Sequence, residues 1–113
     1  MLTFVIPWPP PALSPNARNH WAKLARAKKK YREECSWKAR AQGVRRIAAE
    51  RLDVSFTFFP PTKHRHDVDN CIARAKSGID GIADAIGVDD SCWRMIFEMA
   101  EQAPGGKIEV TIR

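Results

Sequence analysis

A chain of 113 residues has room for one domain, spanning 1–113, and its 44% hydrophobic content is that of a packed globular protein, which excludes wholesale disorder. The formal charge of +6 is unevenly laid: residues 1–52 carry twelve Lys/Arg against three Glu, net +9, while residues 53–113 carry seven against ten acids, net −3. No apolar run approaches the roughly 20 residues of a bilayer span, and the opening Met1–Pro7, with no basic start and a break at Pro7, does not read as a signal peptide.

In chain order, Leu2–Ile6 is apolar and β-branched and predicts a short strand, closed by Pro7-Trp-Pro-Pro-Pro. The prolines from Pro7 to Pro15 offer no ladder donors and predict a stiff connector. Asn16 to about Ala49 is rich in Ala, Lys and Arg and predicts a helix, with Trp21, Leu24, Tyr31 and Cys35 on a weakly apolar face and Gly43 as an interruption or cap. Val54–Phe59 alternates and is aromatic, a second strand ended by Pro60-Pro61. Thr62–Asp69 predicts a polar loop. From Asn70 to about Ile86 the apolar residues Ile72, Ala75, Ile79, Ile82 and Ile86 recur at helical spacing, and Gly87 follows as a stop signal. Gly78 and Gly81 inside this helix each cost about 1 kcal/mol relative to Ala, so close approach of another backbone is the expected reason for them. Val88–Ser91 predicts a turn, Trp93–Ala100 a strand, Gln102–Gly106 a hairpin loop and Lys107–Ile112 a final strand. The order is β-α-β-α-β-β, an α+β domain with helices packed on a mixed sheet. Cys35, Cys71 and Cys92 are odd in number and form no CxxC, which predicts small buried thiols in a reducing cytoplasm.

The basic half suggests a polyanion partner, yet six of the ten acids of the second half fall between Asp67 and Asp90. Carboxylates repel phosphate, and a bound divalent cation resolves that conflict. Asp67 and Asp69 are two residues apart, so in an extended segment both carboxylates point one way and repel unless a cation lies between them. Such hard oxygen donors suit Mg²⁺, with Mn²⁺ as substitute. At about 100° per residue from Asp69, Lys76 falls near −20° and Asp80 near +20°, one polar face beside the apolar stripe. Lys76 is there placed to meet a scissile phosphate, and Asp89-Asp90 supplies a third carboxylate if the chain folds back. Simpler readings stand beside these: Asp67 or Asp69 as a helix cap, Lys76 and Asp80 as a solvated i,i+4 pair, Asp89-Asp90 as turn formers. None of them explains why the acids cluster in a basic protein.

Pro7-Trp-Pro-Pro, the Asp67-x-Asp69-Asn70 motif, Lys76 four residues before Asp80, and the Asp89-Asp90 turn together resemble the RusA-type Holliday junction resolvases, over most of the chain. The resemblance implies a RusA-like fold and a homodimer that nicks a four-way DNA junction symmetrically with Mg²⁺. It maps the metal aspartates onto Asp67, Asp69 and Asp90 and the assisting lysine onto Lys76. The lysine departs from the family pattern, standing about one helical turn further from the second aspartate, and Arg74, near 140° from Asp69, points away from the site. On this reading the protein is a cytoplasmic hydrolase of a bacterium or phage-infected cell acting in DNA recombination or repair, needing no small-molecule cofactor and no membrane. Arg18, Lys23, Lys28–Lys30, Arg45 and Arg46, with Lys63 and Arg65, then hold backbone phosphates, and Trp8 and Trp21 are either core residues or stacking platforms for opened bases. The apolar strand Val54–Phe59 and the last strand are the expected dimer surfaces.

Three other readings compete. His64-x-His66-Asp67 with His20 imitates a zinc motif, but three histidines spread over two elements, with no cysteine at ligand spacing, argue against it. A non-catalytic basic DNA-binding module of a decayed prophage needs no carboxylate cluster at all, and a structural protein binds no DNA.

Overall fold

The computed structural model describes residues 1–15, 17–18, 20–63 and 66–113. Its elements run β1 (Leu2–Pro7), α1 (Trp21–Ala41), β2 (Leu52–Phe59), α2 (Val68–Ile86), β3 (Trp93–Met99) and β4 (Lys107–Ile112), with 3-10 turns at Pro11–Leu13 and Asp90–Cys92. The sheet order is β1-β4-β2-β3. β4 lies antiparallel to β1 and to β2, and β3 lies parallel to β2, so the expected α+β domain with helices on a mixed sheet is the one found. The parallel pair is joined through α2, which runs back from the end of β2 toward the start of β3.

Alternation along the strands sorts the core. Phe4 and Ile6 of β1, Leu52, Val54, Phe56 and Phe58 of β2, and Ile108, Val110 and Ile112 of β4 are buried on one face. Phe56 stacks on Phe97 at 5.2 Å between ring centroids, which carries the aromatic layer onto β3. Helix α2 meets this layer with Ala75, Ile79, Ile82 and Ile86 of the predicted 3,4-spaced stripe, while its first position, Ile72, is half-buried and Cys71 beside it is buried instead. Gly87 ends it in the left-handed region at φ 74°.

The two glycines within α2 answer to α1. A Cβ at Gly78 would stand 2.5 Å from the Tyr31 ring, and one at Gly81 would stand 2.2 Å from the Arg32 carbonyl oxygen. The helices therefore approach to backbone distance, as the glycines led one to expect. Tyr31 Oη donates to Pro7 O at 2.6 Å, and Arg74 Nε donates to Pro10 O at 3.2 Å, so the proline connector is tied down by both helices.

Three expectations need correction. The long helix stops at Ala41, not Ala49: Gly43 adopts φ 96°, Val44 returns to the core, and Ile47 N–H donates to Ile86 O at 2.8 Å. Tertiary contact with the end of α2 outweighs the helix propensity of Ala48 and Ala49. Trp21 is not on a buried face; it is 75% exposed, with the capping His20 ring tilted beside it. Cys92 is exposed, unlike the buried Cys35 and Cys71, and all three are free thiols. Burial pushes the Cys35 thiol up to about 12, which leaves it protonated and inert.

The two outer strands differ. On β1 the Gln42 side chain lies along the free edge: its Nε2 donates to Val5 O at 2.6 Å and its Oε1 accepts from Val5 N–H at 2.9 Å. The carboxamide thus pairs with β1 as a neighbouring strand would. β3 is paired on one side, to β2. The strands anticipated as dimer surfaces, β2 and β4, are the two central ones, and both of their edges are already taken. Among the described residues no helix is long and apolar enough to cross a membrane.

Candidate functional site

Asp67 is the N-cap of α2: it has extended backbone, and its carboxylate accepts from Asp69 N–H at 3.0 Å. Asp69 follows in the first turn, where a negative charge meets the positive end of the helix dipole. Both side chains are exposed. The capping role and an open carboxylate pair coexist, because a cap uses one lone pair and leaves the second oxygen of Asp67 available.

Two turns further along, Lys76 Nζ lies 2.8 Å from Asp80 Oδ1 and also hydrogen-bonds the Asp90 carboxylate. The 3-10 turn at Asp90–Cys92 is what folds the chain back to bring Asp90 there, and Asp89 caps that turn, accepting from the N–H and hydroxyl of Ser91. Burial alone would lower the Lys76 pKa, but the hydrogen bonds and charges of Asp80 and Asp90 outweigh it and hold the ammonium above its ordinary value. Lys76 is thus a fixed cation at the rim of a cleft of about 340 Å³ that it shares with Lys28, Arg74 and Asp80. The shared polar face of Lys76 and Asp80 is as the helical angles indicate, and Arg74 is drawn off to the proline connector.

The full three-carboxylate convergence is not formed within the chain. Among the described residues no three His, Cys, Asp or Glu side chains stand close enough to hold one metal ion. Asp90 is engaged by Lys76, and Asp67 with Asp69 stands about two turns back along the same helix. The donor chemistry that remains at Asp67 and Asp69 fits Mg²⁺ all the same, since that ion commonly takes one or two carboxylates and completes its shell with waters and phosphate oxygens. Of the zinc constellation, His20 and His66 lie among the described residues and have other partners. His20 Nδ1 accepts from Ala22 N–H as the cap of α1, His66 Nε2 pairs with Thr62 Oγ1, and His64 lies outside the described residues.

Of the predicted DNA-binding residues, Lys28 lines the cleft of Lys76. Arg18, Lys23, Lys28 and Lys63 are exposed; Arg65 lies outside the described residues. Trp8 is half-buried against Phe58 and His66. One feature escaped the sequence reading. Trp37 is 68% exposed and, with Arg40, Arg45 and Arg46, lines a cleft of about 530 Å³ at the end of α1. Arg46 and Asp84 also line the neighbouring cleft that holds Asp80 and Asp89, so the tryptophan is linked to the acidic site by a continuous surface. Asp84 does not oppose a polyanion there. Arg32 binds it through Nε at 2.7 Å and Nη2 at 2.8 Å, and these hydrogen bonds, against a smaller effect of burial, hold the carboxyl below its ordinary value. The signal was present in the sequence: Trp37 is two residues past Cys35, about 200° around the helix from the buried stripe.

No family model matches the chain. It is 43% identical over 93 residues to an uncharacterized protein of Xylella fastidiosa, a match that covers 80% of this chain and 61% of the relative. The chain thus spans about three fifths of the relative's length.

Proposed function

We propose that the chain is a RusA-type Holliday junction resolvase: a Mg²⁺-dependent endodeoxyribonuclease, homodimeric and cytoplasmic, that nicks four-way DNA junctions in recombination or repair. What carries the reading is the return of Asp90 onto Lys76, fourteen residues apart in sequence, on the helix whose cap is Asp67-x-Asp69. Asp67 and Asp69 would hold the ion, with Mn²⁺ as a substitute, and the ion when bound supplies charge neutralisation at a phosphodiester and acidifies water. Lys76, about two turns further along the same helix, lines a cleft with Lys28 and Asp80, where its charge would stabilise negative charge that builds on the phosphoryl oxygens during in-line attack. Lys28 at the rim, with Arg18, Lys23, Lys63 and Arg65, holds the flanking backbone.

The test is cleavage of a synthetic four-way junction beside a linear duplex of the same sequence. Paired nicks in the junction are expected with Mg²⁺ or Mn²⁺ and none with EDTA. Salt-sensitive junction binding with no nicking under any divalent ion would instead identify the non-catalytic module.

The Trp37 cleft has the composition of a stacking site for an unpaired base, an exposed indole ringed by guanidinium groups. Trp37→Ala is expected to weaken junction binding roughly tenfold while leaving its dependence on salt unchanged, because stacking is lost and no phosphate contact is. A titration at several ionic strengths reads both quantities, and an unchanged affinity removes the tryptophan from the interface.

A further inference from the structure

We propose that β3 is a docking edge for a second copy of this chain, the two strands pairing antiparallel about a two-fold axis at Ile96. The inference deepens the homodimer of the proposed function by naming its surface, and it rests on the catalytic reading in nothing else.

The strand reads Trp93-Arg-Met-Ile-Phe-Glu-Met99. Laid antiparallel on itself and centred on Ile96, it places Arg94 opposite Glu98 of the other copy, and Glu98 opposite Arg94. Ile96 meets Ile96, Met95 meets Phe97, and Trp93 meets Met99. Every opposed pair is complementary, and a two-fold axis requires just this kind of self-complementarity. Antiparallel strands admit a residue facing its own copy in either a hydrogen-bonded or a non-hydrogen-bonded pair, so the backbone imposes no obstacle.

The strand is free to make this contact. It ends the sheet, with β2 on its inner side. Arg94 and Glu98 are exposed. Ile96 is 47% exposed and Met99 38%, two of the large apolar side chains this protein leaves in water. Parity puts Arg94, Ile96 and Glu98 on the face away from the buried Trp93, so the two ion pairs flank an isoleucine contact on one side of the joined sheet. On the other side Met95 and Phe97, already packed against the core, extend that core across the axis. An open seven-residue edge carrying apolar side chains invites pairing, and opposed charges set its register and direction.

Sedimentation or light scattering across a dilution series tests this with charge swaps. Wild type is expected to dimerise. Arg94→Glu alone and Glu98→Arg alone each turn both ion pairs into like-charge pairs and should raise the dimer dissociation constant about tenfold or more. The Arg94→Glu, Glu98→Arg double variant restores opposed charges and should dimerise like wild type. Mixing the two single variants should give the heterodimer, which also shows that each is folded. A monomeric wild type, single variants as dimeric as wild type, or a mixture that fails to associate overturns the proposal. A dimer that follows the swaps but nicks no junction leaves this surface standing and removes the nuclease; a monomer that nicks does the reverse.

Discussion

Asp69→Asn is expected to lower junction cleavage at least about a hundredfold while junction binding stays equal to wild type or tightens. The substitution keeps the shape of the side chain and removes its charge. Without that charge the start of α2 offers a cation one carboxylate where it had two. Phosphate binding is served by other residues and gains from losing a nearby negative charge. The fold should survive: Asp69 is exposed, and its backbone N–H, not its carboxylate, makes the bond to Asp67. The cost to stability is the lost dipole interaction, about 0.3–1 kcal/mol. Cleavage and binding measured on the same preparation separate the outcomes. Undiminished nicking would mean that the ion, if one is used, is held elsewhere, and binding lost with cleavage would point to misfolding.

Gly81→Ala should be the most damaging single methyl in the protein. Helix propensity favours Ala over Gly by about 1 kcal/mol, so on an exposed helix this change would stabilise. Here the added Cβ would stand 2.2 Å from the Arg32 carbonyl oxygen and 3.2 Å from Ser36 N. Both are backbone atoms of α1 and cannot rotate aside; relief requires the two helices to separate along their contact. Overpacking of this kind costs about 1–3 kcal/mol and more where backbone must move, so it overtakes the propensity gain. A net loss of about 2 kcal/mol corresponds to a melting temperature lower by roughly 10 °C in a domain of this size. Gly78→Ala should cost less, because its neighbour is the Tyr31 ring, a side chain, although the hydrogen bond to Pro7 O restrains that ring. Thermal unfolding of the two variants checks the order, and a Gly81→Ala protein as stable as wild type would contradict the helix spacing.

These glycines also show what the sequence made legible. The 3,4 spacing of Ala75, Ile79, Ile82 and Ile86 defines the buried face of α2, with Ile72 left half-buried, and the glycines beside that face signal a close approach before any partner is known, to backbone at Gly81 and to the Tyr31 ring at Gly78. β4 is found at the predicted bounds because its alternation is uninterrupted. The end of α1 was legible in part. Gly43 signalled an interruption or cap and stands in the left-handed region just past the C-cap, while the burial of Val44 and the hydrogen bond from Ile47 to Ile86, which hold the next segment out of a helix, depend on contacts distant in sequence. The site divides in the same way. Lys76 and Asp80 are neighbours on one helix and their pairing follows from spacing alone, while the position of Asp90 depends on how the turn after α2 enters β3. That the three aspartates do not meet within one chain was beyond spacing, since the turn after α2 delivers Asp90 to Lys76, about two turns past Asp69.

The carboxamide of Gln42 against Val5 has a consequence for how many copies assemble. A sheet open at both ends accepts neighbours without limit and grows into a fibre. Here one end is plugged from within, so addition through the other consumes the sole remaining edge of each copy and presents a plugged one outward on both sides. If β3 docks on a second copy as proposed, growth terminates after a single step, giving a finite pair in place of a polymer.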